Sequence, residues 1–302
     1  MVRVLLLILV SMALTGHARA DVRDLIDEQV LEALAAETSG EAAKRNLDTI
    51  TLQHRMRSGT QFDAATQHIH DVLQDYGLDE VSLLTYAADG ETLYGTQKSR
   101  PVWDVRFAQL WEVREAGDGP ERIRKLADWD SVPLSLAQDS LSGEATATLV
   151  DIGAGTADAD YAGKEVRGKL VLTSSQPEAV VDRAVGELGA AGIISSAPNQ
   201  RSAWWMEDDR LVRWGHIGSF PTTESFAFMI SLGEARKLQS RLAAGESILF
   251  HAKVDASHEK GQYRFVTARI EGDSKPDEEI HFTCHLDRPR PGANDHAAGC
   301  KA

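Results

Sequence analysis

The sequence predicts an α/β protein: a mixed sheet with helices, interrupted by a second module that is α/β or β-rich. Three observations predict it. Apolar residues recur at helical spacing between about Asp21 and Tyr76. From about Leu136 onward, short apolar runs alternate with glycine turns and small helices. Near the carboxyl end, two alternating segments lead into a proline-glycine loop that carries histidine and aspartate.

The first twenty residues stand outside the expected fold. Arg3 supplies a positive start, "VLLLILVSMAL" an apolar run too short to span a bilayer, and "ARA" small residues at the two positions that matter for cleavage. This pattern reads as a secretory signal cut after Ala20, which places the mature chain outside the cell or in the periplasm without a membrane anchor. The 302-residue chain has a formal net charge of −14, and loss of Arg3 and Arg19 makes it two units more acidic. Nucleic acid is therefore excluded as the main partner, because phosphate binding needs a basic patch. The two cysteines, Cys284 and Cys300, are too few for a disulfide framework, and Cys284 in an apolar alternating run is expected as a buried free thiol.

In "SGEAAKRNLDTITLQHRM", Ser39 is a good capping residue, and Ala42, Ala43, Leu47, Ile50 and His54 follow at helical spacing. A second helix is predicted through "QFDAATQHIHDVLQDYG". Phe62, Ala65, Ile69, Val72, Leu73 and Tyr76 lie on one face, and Gly77 stops it. His68 and His70 within it are two apart and do not share a face, so they are expected to be structural or solvated rather than metal ligands. "DEVSLLTY" reads as a strand, whereas residues 98–135, rich in Trp, Arg and Pro with mixed periodicity, read as irregular packing that connects to the next unit.

The segment 136–257 has strand-like runs in "ATATLVDIG", "GKLVLTSS" and "SILFHAKVDA". Helix-to-strand steps occur in "AVGELGAAGIISSA" and "FMISLGEARKLQSRLAAG". Gly168 permits a tight turn, and Gly189 and Gly192 let a helix end as a strand begins. "VRGKLVLTSS", "AVGELGAAGIISS" and "FPTTESFAFMISLGEARKLQSRLAAGE" together resemble the protease-associated domain. That resemblance implies a module that shapes substrate access or protein contacts without doing chemistry. Within it, Trp204, Trp205 and Trp214 flank charged residues and could form a substrate rim, although local packing of an insertion is the favoured reading.

At the end of the chain, "YRFVTARIEGD" and "EIHFTCHLD" read as strands separated by a turn. In the second, period two puts His285 and Asp287 on one face at the strand's carboxyl end, where open α/β sheets place their ligands. In "RPRPGANDHAAG", prolines stiffen a loop, Gly292 allows a sharp bend, and Asp295 precedes small residues that can start a helix. Imidazole nitrogen beside carboxylate oxygen suits zinc, and Asp287 can hold the other ring nitrogen of His285. A histidine-aspartate pair on an exposed turn is the plainer alternative. Glu278 and Glu279 read as a solvated turn.

"HLD" followed closely by "PGANDHAAG" resembles the co-catalytic zinc aminopeptidases, family 28 of the metallopeptidases, and the opening helices and the two late strands fit the same family. The resemblance implies an exopeptidase of zinc-exopeptidase-like fold with two zinc ions and peptide or protein substrates. By motif position, His285 would ligate one zinc, Asp295 would bridge both, and Asp287 would orient His285. Gly292, Asn294 and His296 would support the loop, with His296 standing where the family more often has asparagine. It also implies a division into residues 21–135 (first part of the peptidase domain), 136–257 (protease-associated insert) and 258–302 (start of the zinc-binding catalytic domain). The family's general base and remaining ligands come from segments further along than Ala302, so the chain by itself is expected to have little activity. Two alternatives are a receptor-like binding protein that works through the protease-associated unit and a single-zinc glutaminyl-cyclase-like acyltransferase.

Overall fold

A computed structural model describes residues 26–56, 58–117, 119–197, 208–272, 275 and 278–293. The chain divides into two units, residues 1–46 with 302 and residues 47–301. In the first, helix α1 (Glu28–Glu37) starts where the Asp27 side chain accepts a bond from the Gln29 amide at 2.8 Å, and it buries none of its side chains. Helix α2 (Gly40–Thr51) is capped as expected by Ser39, whose Oγ accepts from the Ala42 amide at 3.2 Å.

Helix α2 ends a turn before His54, earlier than its apolar spacing suggests. The carbonyls of Ile50 and Gln53 are taken by the side chain of Arg55 (2.8 and 3.0 Å), which closes the helix. Helix α3 (Thr60–Asp75) follows, and Gly77 stops it in the left-handed region at φ +74°. Asp104 caps its start, accepting from the Thr60 amide and hydroxyl (3.2 and 2.9 Å). Ala65 is buried on α3 and Ile69 packs beside it, but Tyr76 is exposed. Strand β1 (Asp79–Ala88) pairs antiparallel with β11 (Gly261–Arg269), and Arg264 of β11 reaches Asp63 of α3 at 3.3 Å. The two short strands β2 (Leu93–Tyr94) and β3 (Gln97–Lys98) form a separate hairpin.

The large sheet has seven strands in the order β5-β4-β10-β6-β7-β8-β9. Residues 98–135, expected to be irregular, supply two of them: β4 (Val102–Arg114) and β5 (Glu121–Asp128). Their periodicity was blurred by register shifts at Leu110/Trp111 and Glu112/Val113 and by charged side chains that pair across strands. The rest of the sheet follows the predicted texture, with β6 (Gly143–Asp151), β7 (Leu170–Thr173), β8 (Gly192–Ser195), β9 (Ala227–Met229) and β10 (Leu249–Glu259). Strands β5, β4, β10 and β6 run antiparallel to their neighbours, whereas β6, β7, β8 and β9 run parallel.

Burial follows that division. Along β7, β8 and β9 successive side chains enter two cores. Leu170, Leu172, Ile194 and Phe228 lie on one face, and Val171, Ile193, Ala227 and Met229 on the other. Such two-sided burial is why these strands read as unbroken apolar runs. Strand β10 instead alternates, with Phe250, Ala252, Val254 and Ala256 buried in the first core. Helix α4 (Asp158–Tyr161) and a π-helical turn at Asp182–Glu187 cover the second core through Tyr161 and Ala184. Helix α5 (Leu232–Ala243) covers the first through Ala235 and Leu238. Gly192 is required where β8 begins, because a Cβ there would stand 2.6 Å from the Phe226 ring.

Residues 279–287, predicted as a strand, form none. Ile280 is 83% exposed and Phe282 94% exposed, so alternation alone does not make a strand when no neighbouring edge offers a ladder.

On the outer part of the sheet, the nearly buried Glu112 accepts from Arg241 at 2.6 Å and from Arg124 at 3.1 Å. The Arg241 bond, followed by the Arg124 bond, holds the Glu112 carboxyl below the usual range against the opposing effect of burial. A depressed carboxylate pKa adds stability that is fully present above the unfolded-state value and is lost as pH falls through the folded one. Glu112→Gln is therefore expected to lower stability by about 1–2 kcal/mol at neutral pH. The deficit should shrink below about pH 4, and urea unfolding at several pH values measures both.

Candidate functional site

The segment that carries the predicted chemistry is held to the body of the protein from one side. Leu286 packs against Leu47, Ile50, Ala65 and Ile69, which places the chain between α2 and α3. Arg55 and Arg288 then exchange two backbone bonds, at 3.0 Å (Arg55 N to Arg288 O) and 2.7 Å (Arg288 N to Arg55 O).

Beneath this bridge the Arg55 side chain is wholly buried. Its Nε donates to the Leu286 carbonyl at 3.0 Å, Nη2 to the Gly292 carbonyl at 3.2 Å, and Nη1 and Nη2 lie 3.4 and 3.5 Å from the Pro291 carbonyl. Burial lowers the Arg55 pKa, and the Asp287 carboxylate counteracts it. Gly292 has φ +48°, and a Cβ there would stand 2.9 Å from Nη2 of Arg55. The bend expected at Gly292 is present, and the missing side chain also makes room for the guanidinium.

His54, next in sequence, lies in an aromatic cage with ring centroids 4.5 Å from Trp129 and 6.5 Å from Trp103. Its Nδ1 accepts the Arg290 amide at 3.2 Å, and Arg290 also donates to the Asp130 carbonyl. Burial first, and then the cations of Arg290 and Arg55, push the His54 pKa down to about 3. This histidine is neutral at ordinary pH.

Above the anchored floor, His285 and Asp287 face solvent, with side chains 54% and 51% exposed. His285 Nδ1 lies 2.8 Å from Asp287 Oδ1. An ionised carboxylate only accepts, so Nδ1 donates to Asp287. The predicted pairing is present although the strand predicted to produce it is not. This donor set suits zinc at one position, as histidine oriented by carboxylate. Among the described residues no three His, Cys, Asp or Glu side chains are grouped to hold a metal ion. Asp295, Asn294 and His296 lie outside the described residues, as do Trp204 and Trp205.

Trp214 is 38% exposed and stacks on His216 at 4.7 Å, with its Nε1 donating to Gln138 at 3.1 Å. Glu278 pairs with Lys275 and Glu279 with His281, all exposed, as a solvated turn would have them. Cys284 is not the buried free thiol expected. It is exposed and disulfide-bonded, and the chain's other cysteine, Cys300, lies outside the described residues. The clamp formed by His54 and Arg55 was not foreseen. "QHRM" resembles the polar end of an amphipathic helix, and nothing in it signals a partner more than 230 residues away.

Comparison with solved structures identifies the fold. A peptidase M28 precursor from Shewanella amazonensis is similar at a TM-score of 0.58 and 19% identity, over 89% of this chain and 60% of that one. BSAP, a zinc aminopeptidase from Bacillus subtilis, is similar at 0.52 and 16%, over 86% of this chain and 55% of that one. The chain has an M28 peptidase-like fold. It spans 60% or less of the length of these two relatives. No protein-family model and no curated protein matches the sequence.

The depressed pKa of His54 fixes a pH dependence. The unfolded chain protonates this imidazole near pH 6.5 and the folded one only near 3, so stability falls as pH drops from about 6.5 towards 3. His54→Asn, which keeps an acceptor for the Arg290 amide, is expected to flatten the melting-temperature profile across that interval. An unchanged slope in the variant would show that other groups set it.

Proposed function

We propose that this chain belongs to a zinc-dependent exopeptidase, of aminopeptidase type, that hydrolyses peptide bonds near a chain end. The observation that carries this reading is the 2.8 Å bond from His285 Nδ1 to Asp287, which fixes the tautomer a metal-ligating histidine needs. It is supported by the M28 peptidase-like fold and by the "HLD" and "PGANDHAAG" motifs. The Bacillus subtilis relative is a zinc aminopeptidase, which favours zinc over other cations.

In this reading His285 and Asp295 would hold the zinc, and Asp287 would orient the His285 imidazole. Gly292, Asn294 and His296 would support the loop that carries Asp295. Zinc, when bound, supplies the Lewis acidity that lowers the pKa of water and polarises a scissile carbonyl. The chain's own contribution is orientation: the carboxylate of Asp287 fixes the His285 ring, and the anchored 286–292 segment fixes both. The parallel part of the large sheet with its covering helices suits the protease-associated module proposed for residues 136–257. Strands β4 and β5 join the same sheet. Trp204, Trp205 and Trp214 would form a rim for peptide substrates. The apolar run near the amino terminus fits an export signal, and among the described residues no helix is long and apolar enough to cross a membrane.

Zinc titration against a chromophoric chelator tests the site. Zinc binding is expected to be lost in His285→Ala and weakened about tenfold or more in Asp287→Asn. In the active enzyme, two zinc ions and turnover of small amides with a free amino terminus are expected. One zinc would instead favour the cyclase-like reading and none the receptor-like one.

A further inference from the structure

We infer that Arg55 is a positioning residue for the metal-binding loop, holding the backbone on which His285, Asp287 and Gly292 are mounted. The inference rests on the reading of His285 as a zinc ligand. Two independent features support it.

The first is the bonding pattern. The guanidinium is wholly buried, and five carbonyls converge on it: Ile50 and Gln53 from the end of α2, and Leu286, Pro291 and Gly292 from the loop. Arg55 thus joins two segments that are far apart in sequence. It bonds both ends of the stretch that contains Asp287 and flanks His285.

The second is fit. The loop backbone approaches so closely that a methyl group at Gly292 would meet Nη2 at 2.9 Å. The loop so held also carries Asp287, the group that accepts from His285. Lysine could replace the charge but not five directed bonds, because its ammonium has three donors and no planar fork.

The test uses the chain with Arg55→Met, Arg55→Lys and Gly292→Ala. Zinc affinity is measured by chelator competition, and the His285 tautomer by imidazole nitrogen NMR. Arg55→Met is expected to weaken zinc binding by about ten- to a hundredfold and to reduce the Nδ1-protonated tautomer of His285. Arg55→Lys should restore only part of both. Gly292→Ala keeps Arg55 but displaces the loop, so it should act in the same direction, and it carries the test if Arg55→Met does not fold. Unchanged affinity and tautomer in a folded Arg55→Met or Gly292→Ala chain would overturn the inference, even with a lower melting temperature. Absence of any His285-dependent zinc binding in the unsubstituted chain would overturn the reading of the site itself, and the positioning role with it.

Discussion

A loop containing two prolines cannot satisfy its own backbone. Pro289 and Pro291 have no N–H to donate, and among the described residues the segment 278–293 has only one bridge to another strand-like residue, Arg55 to Arg288. Carbonyls placed against the protein body without donors would each cost about 1–3 kcal/mol. One buried guanidinium supplies donors to three of them and also finishes helix α2. Burying a cation is itself costly, and the cost is acceptable here because its N–H groups are engaged and the Asp287 carboxylate lies close enough to act on it. The local order of the functional segment therefore depends on a residue that performs no chemistry.

Much of the fold was legible because burial writes itself into sequence. Strands β7, β8 and β9 are covered on both faces and read as continuous apolar runs; β10, with one face in the core, alternates. Strands β4 and β5 were hidden for a related reason. Arg114 pairs with Glu121, and Arg124 with Glu112 and Glu234, while Arg122 and Lys125 lie over the Trp111 ring. Charges that belong to cross-strand pairs look, one residue at a time, like a solvated linker. The opposite error occurred at Ile280–Asp287, where a clean period of two met no neighbouring edge. Strand formation needs a partner, and a partner is not written in the strand.

The site divided along the same line. His285 and Asp287 could be paired from sequence because they are two residues apart and their chemistries complement each other. The bond survives without the strand because two side chains at that spacing can also meet across an irregular turn. The partners of Arg55 could not be read, since its bonds go to carbonyls, which every residue possesses. Recognition of that kind depends on where the backbone goes and not on which side chain is present. His54 was obscured in a different way: helical spacing pointed to a helix face, and the arginine after it ended the helix first.

Two histidines at this locus show how surroundings divide roles between identical side chains. His54 is enclosed by Trp103 and Trp129 beside two cations, and its Nδ1 lone pair is consumed by the Arg290 amide. His285 is half-exposed, and its Nδ1 carries a proton because the partner is a carboxylate that can only accept. The first ring accepts a bond to fix backbone; the second donates one, from Nδ1 to the Asp287 carboxylate. A cation arriving at Nδ1 of His54 would find only a bond already made. The two rings are linked through one backbone segment, so the neutral state of the buried one helps determine where the exposed one stands.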